Sequence, residues 1–472
     1  MKNILIAIRS IFKKGRHNVM KIVSLGIGLA VGLVLIAKVY FEQSYDDFYP
    51  DRDRVYQVWA KYQQNGGELK DYPQTSGGIA PTMQQQIPEI ETVTRYTSFG
   101  DWTFTMTDTK MKYSGRCIIA DSCFFDILPR PMLIGNAKEV LSTPMYVLIS
   151  SRIAKNIGGD VIGKNFTVDS SPGRTMTIGG VFEEGPENSH SRYDVIVSMA
   201  SASRFMWEGS PTNMLGNDRY ISYVKLHKGV NPLALEEQVH TFVNSYFPPE
   251  EQQKTGFNIG FSFHELDGLH KELPQVKRMT WILSLLAFAL IFTAVMNYIL
   301  IVISSIVNRS KEVAVHKCYG ASENNIHGMM FGEALVHIVL SLILALLLIL
   351  AFRGTVEELL ATSLDSLLLS NGSLVLLGIC ILVFFVSGFM PGSLYARIPV
   401  ASAFRNYREN KRIWKKALLL VQFVATGFLV TMLVFVARQY TFMVNDRPGY
   451  AYENLAYCGL AGVDSTSRAK IL

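Results

Sequence analysis

The chain has 472 residues, 49% of them hydrophobic, and its mean hydropathy is +0.21. This composition excludes both an ordinary soluble domain and a chain that lies wholly in lipid, so it indicates membrane helices together with a sizeable water-exposed domain. The formal net charge is +6, and the basic residues are unevenly placed. The five cysteines include no CxxC pair, which argues against zinc and thioredoxin-type sites.

Several apolar stretches are long enough to cross a membrane, which takes about 20 residues. The first is longer than the apolar region of a signal peptide and lacks an A-x-A cleavage site, so we predict that it is a retained helix. The predicted spans are residues 20–40, 279–307, 329–352, 373–396 and 417–437.

Basic residues indicate which side of the membrane each segment occupies. Residues 1–19 contain lysine and arginine but no acidic residue, and the linker 397–416 is rich in both basic types. Because short cytoplasmic segments carry an excess of lysine and arginine, we predict a cytoplasmic N-terminus in a bacterial inner membrane. Residues 41–278 are then outside the cytoplasm, and residues 438–472 are outside again.

The first 19 residues have the spacing of an amphipathic helix. One face carries apolar side chains, and the lysines and Arg9 lie elsewhere. A basic amphipathic helix beside a span usually lies in the membrane interface. The alternative is that it extends the first span. The apolar face consists of Ile4, Leu5, Ile8, Ile11 and Phe12.

The outside segment 41–278 is long enough for a packed core of α+β type. Residues 54–62 and 175–182 alternate apolar and polar side chains as strands do, and residues 231–246 have helical spacing. The fold class is therefore an α-helical membrane protein with an α+β extracytoplasmic domain between its first and second transmembrane helices. Cys117 and Cys123 in this domain are either bridged or free.

One motif in the outside domain resembles a nucleotide site. GGDVIGKN at 158–165 is close to the P-loop G-x-x-x-x-G-K-[ST], but Asn165 replaces the hydroxyl residue that binds Mg²⁺. We interpret the motif as a turn between a helix and a strand.

The fifth span and its flanks repeat the pattern of the first. Each combines a basic flank, an apolar span, an aromatic exit and a strand-like run. A repeat unit normally contains its complete set of secondary-structure elements, so residues 438–472 are expected to begin a second outside domain. The chain is then the N-terminal portion of a longer two-repeat protein or a naturally shortened one.

The segment 308–328 after the second span is short and carries both charge signs. Val313, Val315, Tyr319 and Ile326 are expected to form a small apolar surface bounded by charged residues. Glycine followed by serine at 320–322 predicts a helix stop and then an N-cap. Such a helix at the inner face of the membrane is a docking element for a cytoplasmic partner. The alternative is an ordinary basic loop.

At this segment the chain resembles the permease subunits of MacB/FtsX-type ABC transporters. NRSKEVAVHKCYGAS resembles the stretch R-x-x-E-I-x-x-R-K-x-x-G-A that sits on the ATPase in that family. The opening IAIRSIFKKG and the series ADSCFFDIL, LIGN and TIGGVFEEGPENSH are also similar. MPGSLYARIPVASAFR resembles the signature at the end of the fourth span. Two residues depart from the pattern: His316 replaces a usual arginine, and Pro399 falls one position early.

The resemblance implies a permease that works in pairs, as a homodimer or heterodimer, with separate cytoplasmic ABC ATPase subunits and in some members a periplasmic adaptor. It implies no catalytic residue, cofactor, metal or nucleic acid on this chain. Family members extract lipoproteins, export peptides or macrolides, or activate cell-wall hydrolases, and the sequence selects none of these. The coupling residues that it implies are Lys311, Glu312, Val315, His316, Lys317, Tyr319, Gly320, Ala321, Ser322 and Ile326.

Small residues recur every four positions in the first span, at Ser24, Gly28 and Gly32. This spacing lets helix backbones approach closely, so it predicts a helix-packing face. Chance in a glycine- and alanine-rich span is the alternative. Lys38 is expected to extend its amino group toward the interface, and Asn297 is expected to bond another helix.

Two classes of function compete. The first is an ABC permease that couples ATP hydrolysis on a partner to motion of the outside domain, for export or extraction of a substrate. The second is a membrane-anchored sensor, or a regulator of periplasmic or cell-wall enzymes, that performs no transport. An enzymatic outside domain has little support, because FHELDGLH at 263–270 does not have the histidine spacing of a zinc protease.

Overall fold

The structure is a computed structural model that describes residues 17–169, 171–216, 218–369, 371–396 and 413–445. It divides into two compact units. The helical unit comprises residues 17–43 and 274–445, and the sheet unit comprises residues 44–273. The predicted interfacial helix 1–19, the linker 397–416 and the segment 438–472 lie mostly outside the described residues.

Helices occur in both units of the described chain. In chain order they are α1 (Asn18–Gln43), α2 (Ile79–Gln86), α3 (Phe124–Ile127), α4 (Ala137–Ser142), α5 (Ser151–Ile157), α6 (Ala202–Phe205), α7 (Glu236–Tyr246), α8 (Pro249–Thr255), α9 (Gly268–Lys271), α10 (Pro274–Ser304), α11 (Ile306–Cys318), α12 (Glu323–Ala351), α13 (Arg353–Leu360), α14 (Leu364–Leu368), α15 (Ser373–Ala396) and α16 (Ile413–Asn445). Short 3₁₀ turns occupy Arg52–Arg54, Met199–Ser201 and Pro232–Leu235.

Five helices of the helical unit are long and apolar enough to cross a membrane. Within the described residues these spans are Asn18–Gln43, Pro274–Ser304, Glu323–Ala351, Ser373–Ser393 and Leu419–Asn445. They are α1, α10, α12, α15 and α16, and we refer to them as the first to fifth spans. Pro391 lies inside α15, near its end.

The first span packs along the second and the third. Leu25, Leu29 and Leu33 recur every four residues, so they share one face of α1, and all three are buried. They belong to one buried cluster with Ile299 of α10 and Ile338 of α12. In lipid, such contacts stabilise the bundle by close packing rather than by exclusion of water.

Among the described residues, all strands are in the sheet unit. They are β1 (Val55–Gln64), β2 (Lys70–Tyr72), β3 (Ile90–Met106), β4 (Lys112–Ala120), β5 (Met132–Ile134), β6 (Tyr146–Ser150), β7 (Asn165–Val168), β8 (Ser171–Phe182), β9 (Val195–Ser198), β10 (Ile221–Leu226) and β11 (Phe257–Glu265). In the described chain they form one sheet whose main order is β11-β1-β10-β3-β4-β9-β6-β8-β5. The β4–β9 and β6–β8 pairs are parallel, and the other pairs along this order are antiparallel.

Strand β1 shows why the sheet is buried on both faces. Successive side chains of a strand point to opposite faces. Val55 belongs to one buried cluster, whereas Tyr56 and Val58 belong to another. The second cluster also contains Phe242 of α7, so this helix covers that face of the sheet.

The chain enters and leaves the sheet unit through two strands that pair with each other. Strand β1 follows the first span in sequence, and β11 precedes the second. They are antiparallel, with Tyr56 opposite Glu265 at one end of the ladder and Gln64 opposite Phe257 at the other. The ladder end formed by Tyr56 and Glu265 is therefore the end nearer in sequence to both spans.

The predicted fold class is confirmed: a strand-rich α/β domain lies between the first two apolar helices. Residues 54–62 and 175–182 fall in β1 and β8, and α7 lies within the predicted helical stretch. The motif at 158–165 is a turn between α5 and β7, as interpreted from its sequence. Cys117 and Cys123 are both free thiols.

Candidate functional site

The candidate coupling segment begins with helix α11, which follows the second span after one residue. Ser305 separates α10 from α11, and its hydroxyl donates to the carbonyl of Val302 at 2.6 Å. Val313 and Ala314 of α11 are both 1% exposed and belong to the buried cluster of the helical unit. This helix is therefore packed into the bundle rather than extended as a loop.

The end of α11 has the predicted stop and cap. Gly320 has a φ of +85°, in the left-handed region that favours glycine. Its N–H donates to the carbonyl of Lys317 at 3.0 Å. Two residues later, the Ser322 hydroxyl accepts from the Asn325 N–H at 3.4 Å and caps α12. The glycine–alanine–serine pattern thus turns the chain from α11 directly into the third span.

The apolar surface of the segment is smaller than the sequence indicates. Val313 and Ile326 are each 1% exposed, so the prediction that they contribute to a docking surface is wrong for this structure. The reason is tertiary: both side chains pack into the cluster formed by the spans. Val315 and Tyr319 stay 44% and 89% exposed. Because they are four residues apart, they lie on one helix face.

The polar members of the predicted set surround this exposed pair. Lys311, His316 and Ser322 are exposed, while Glu312 and Lys317 are half-buried. Gly320 is exposed and Ala321 is half-buried. The segment therefore presents the apolar pair Val315 and Tyr319 among side chains of both charge signs. His316 is one of the exposed residues beside this pair.

Two of the three predicted small residues of the first span, Gly28 and Gly32, lie where two helices approach closely, and the contacts of Ser24 stay a prediction. A Cβ on Gly28 would lie 2.2 Å from the Cβ of Ala294, and a Cβ on Gly32 would lie 2.4 Å from Cγ1 of Ile291. Both neighbours belong to the second span. Gly26, which sequence reasoning missed, faces the third span instead: its Cβ would lie 2.9 Å from Cδ2 of Leu344. Glycine thus permits close approach on two faces of α1.

Polar side chains join the spans within the helical unit. Lys21 and Glu333, both buried, form an ion pair of 3.6 Å between the first and third spans, and Lys21 also donates to Asn18 at 3.2 Å. The hydroxyl of Tyr298 lies 3.1 Å from Nδ1 of His337. Sequence reasoning missed both pairs, although lysine and glutamate inside apolar stretches are the expected signal of such a contact.

Two other polar residues can be compared with their predictions. Lys38 is 8% exposed: its ammonium pairs with Glu42 at 2.7 Å and donates at 2.8 Å to Thr362, which lies between the third and fourth spans. Asn297 bonds another helix, as predicted, by accepting from Gln422 of the fifth span.

The close approach of α1 and α10 predicts a specific sensitivity to one added methyl group. Gly28→Ala should destabilise the helical unit by about 1–3 kcal/mol, because the new Cβ overlaps Ala294 and the helices must separate. Gly378→Ala is the matched control, since nothing lies within 4 Å of the added carbon. It should be neutral or stabilise by up to about 1 kcal/mol. Unfolding midpoints of the full chain in mixed detergent–SDS micelles measure both, and equal midpoints would contradict the packing.

Two histidines of the sheet unit stack on aromatic side chains. His264 stacks on Trp59 with ring centroids 4.1 Å apart, and His270 stacks on Tyr45 at 3.5 Å. Burial lowers the pKa of His264. Within the described ranges no cluster of three His, Cys, Asp or Glu side chains has the arrangement of a metal site.

Comparison with known proteins identifies relatives for both units. Residues 284–400 match the family model "FtsX-like permease C-terminal". A domain of a permease protein from Porphyromonas gingivalis is 33% identical, with 46% of this chain and 91% of that chain covered and a TM-score of 0.42. No curated protein matched the chain.

Two further solved structures are more distant. The periplasmic region of MacB from Actinobacillus actinomycetemcomitans is 15% identical, over 47% of this chain and 92% of that chain, with a TM-score of 0.32. The extracellular domain of the noncanonic ABC-type transporter YknZ from Gram-positive bacteria is 11% identical, over 43% of this chain and 98% of that chain, with a TM-score of 0.31. On the family match and the 33% identity to the P. gingivalis permease domain, the chain belongs to the FtsX-like permease family.

Proposed function

We propose that this chain couples ATP hydrolysis by a separate cytoplasmic ATPase to motion of its sheet unit, which acts outside the membrane on a substrate for export or extraction. The observation that carries the proposal is helix α11. It leaves Val315 and Tyr319 exposed as an apolar pair, while its opposite side is buried in the bundle and its start is one residue from the second span.

The first step of the mechanism is a push on α11. The exposed pair receives the ATPase, and Val313 and Ala314 pass the displacement into the buried cluster. A single intervening residue, Ser305, leaves little chain to absorb the movement before the second span.

The second step is transfer between spans. Gly28 and Gly32 bring the first span into close contact with Ala294 and Ile291 of the second. Protein interiors are close-packed and transmit displacement rather than absorb it. The two spans therefore move together, and each continues in sequence into one of the paired strands β1 and β11.

Partners and orientation belong to the same proposal. The chain pairs with a second permease subunit, identical or different, and with two ATPase subunits, and a periplasmic adaptor completes some complexes of this type. Residues 1–19 and 308–328 face the cytoplasm, and residues 41–278 face away from it. The support is the distribution of lysine and arginine along the chain.

Affinity purification of the full chain in detergent tests the proposal. We expect a soluble ABC ATPase to copurify in near-equal amount and its ATP hydrolysis to depend on the permease. Recovery of a wall hydrolase or another periplasmic enzyme, with no ATPase, would instead favour the sensor or regulator.

Thiol labelling provides the control for orientation. In a chain without native cysteines, Glu68→Cys and Glu208→Cys occupy exposed positions of the sheet unit, and Asn324→Cys is exposed beside the coupling helix. An impermeant reagent should label the first two in intact spheroplasts and the third only after lysis. The reverse pattern would invert the orientation.

A further inference from the structure

The sheet unit contains a buried arginine with no directly bonded carboxylate. Arg130 is 7% exposed, and among the described residues no carboxylate lies within ion-pair distance of it. Its guanidinium stacks over the rings of Phe48 and Tyr49, at 4.7 and 5.0 Å from the ring centroids. One nitrogen donates to the Ser189 hydroxyl at 3.2 Å. That hydroxyl in turn lies 3.2 Å from Asp46, the carboxylate reached through it.

Glycine allows this guanidinium to pack against the backbone at the wall of a cavity. A Cβ at Gly185 would lie 2.6 Å from Cζ of Arg130, so a larger residue there would displace the arginine. Gly185 and Arg130 together line a cavity of about 260 Å³. Burying a cation without a charged partner is costly, so an anion in this cavity would stabilise the arrangement.

A hydroxyl that makes no close hydrogen bond lines the same cavity. Tyr193 is 7% exposed, and no group in the described part of the chain makes a close hydrogen bond to its Oη. The Arg130 guanidinium lies beside this oxygen and can only donate to it, so the hydroxyl proton remains available. Burial raises the pKa of Tyr193 well above its ordinary value, against the opposing charge of Arg130. The hydroxyl therefore stays protonated at neutral pH and is able to donate. Burial also raises the pKa of Tyr49, whose ring lies beside Arg130, to about 12.

Further cations line the cavity. They are Arg116, Arg152 and Arg192, and the carboxylates of Glu184, Glu187 and Asp194 also line it. Arg152 already pairs with Asp194 at 2.5 Å and with Glu184 at 3.4 Å. Arg192 is exposed and donates to the Glu187 carbonyl, and Arg130 is buried; neither pairs with a carboxylate among the described residues.

We propose that this cavity binds a small phosphate-class oxyanion, either free phosphate or a phosphomonoester, with Arg130 and the Tyr193 hydroxyl as its buried donors and Arg192 as its exposed one. Guanidinium groups match phosphate oxygens with two parallel hydrogen bonds. The four arginines of the lining outnumber its three carboxylates, which favours an anion, and donors from several directions suit the several oxygens of phosphate. The volume admits a small ligand rather than a polymer.

Titration calorimetry of the full chain in maltoside detergent, free of lipid, phosphate and sulfate, tests the site. Inorganic phosphate is the first probe, glycerol 3-phosphate is the second and acetate is the third. We expect saturable binding of one or both phosphate probes and weaker binding of acetate. Tighter binding of glycerol 3-phosphate would assign the site to a head group or other monoester, and tighter binding of inorganic phosphate would assign it to the free ion.

Variants locate the binding. Arg130→Gln should weaken it at least about tenfold, since a charged hydrogen bond is lost. Tyr193→Phe should weaken it about three- to tenfold without loss of folding, because it removes a buried hydroxyl that makes no close hydrogen bond in the unliganded chain. Tyr193→Phe therefore still tests the site if Arg130→Gln does not fold. Tyr56→Phe, a buried tyrosine in another cluster of the sheet unit, is the control and should bind as the parent does.

Three results would overturn the proposal. The first is absence of phosphate binding to the parent chain. The second is equal binding by the parent and by both Tyr193→Phe and Arg192→Gln. The third is tighter binding of acetate than of either phosphate probe.

Discussion

A chain with aspartate at both Val315 and Tyr319 is expected to lose its ATPase partner and the ATP hydrolysis that the permease stimulates. The two side chains form the exposed apolar face of α11, and docking would place both new carboxylates against an apolar surface. Loss of one well-packed contact at an interface costs on the order of 1–2 kcal/mol or more. This corresponds to roughly a five- to thirtyfold weaker association for each position.

The same double variant should reach the membrane in normal amount. Both side chains are exposed in the unpartnered chain, so the change leaves the bundle core intact. Leu359→Asp is the matched control, because Leu359 is an apolar residue, 78% exposed, on the short helix α13. Pull-down and hydrolysis assays on equal amounts of each chain measure the effect. Full ATPase binding by the double variant would rule out α11 as the coupling element.

Breaking the Lys21–Glu333 pair is expected to have the largest effect on folding of the helical unit. Glu333→Leu removes the carboxylate that pairs with the buried Lys21 ammonium, and loss of one partner of a buried pair costs about 3–5 kcal/mol. The double change Lys21→Met and Glu333→Leu removes both charges and should recover most of that loss.

Arg353→Met is the control for this prediction. Its ion pairs with Glu357 and Asp365 are largely exposed, so its loss should change the unfolding midpoint far less. Midpoints of the full chain in mixed micelles give the comparison. If the double variant is no more stable than Glu333→Leu alone, the pair does not act as a compensated buried unit.

The spans could be predicted from sequence because about 20 apolar residues in a row have few alternatives to a membrane helix. The end of α11 could also be predicted from the sequence, because glycine at a left-handed position and serine at an N-cap act through local backbone geometry. The family was identified through the same segment.

The face of α11 that is buried could not be predicted. Val313 and Val315 differ by only two positions in one segment, yet one is buried and the other is exposed, because the spans that pack against the helix decide it. The partner of Lys38 could not be predicted for a similar reason, since Thr362 lies 324 residues away. The phosphate cavity is also non-local, since Arg130, Gly185 and Tyr193 come together only in the folded sheet unit.

The pairing of β1 with β11 has a mechanical consequence. Both strands connect to their spans from the ladder end that holds Tyr56 and Glu265. In the coupling that we propose, a displacement shared by the two spans would load both strands in the same sense and leave their pairing intact. A displacement that separates the spans would instead break the hydrogen bonds between the strands one pair at a time, starting from that end. Under the proposed coupling, the β1–β11 pairing would therefore transmit common movement of the two spans but not their separation.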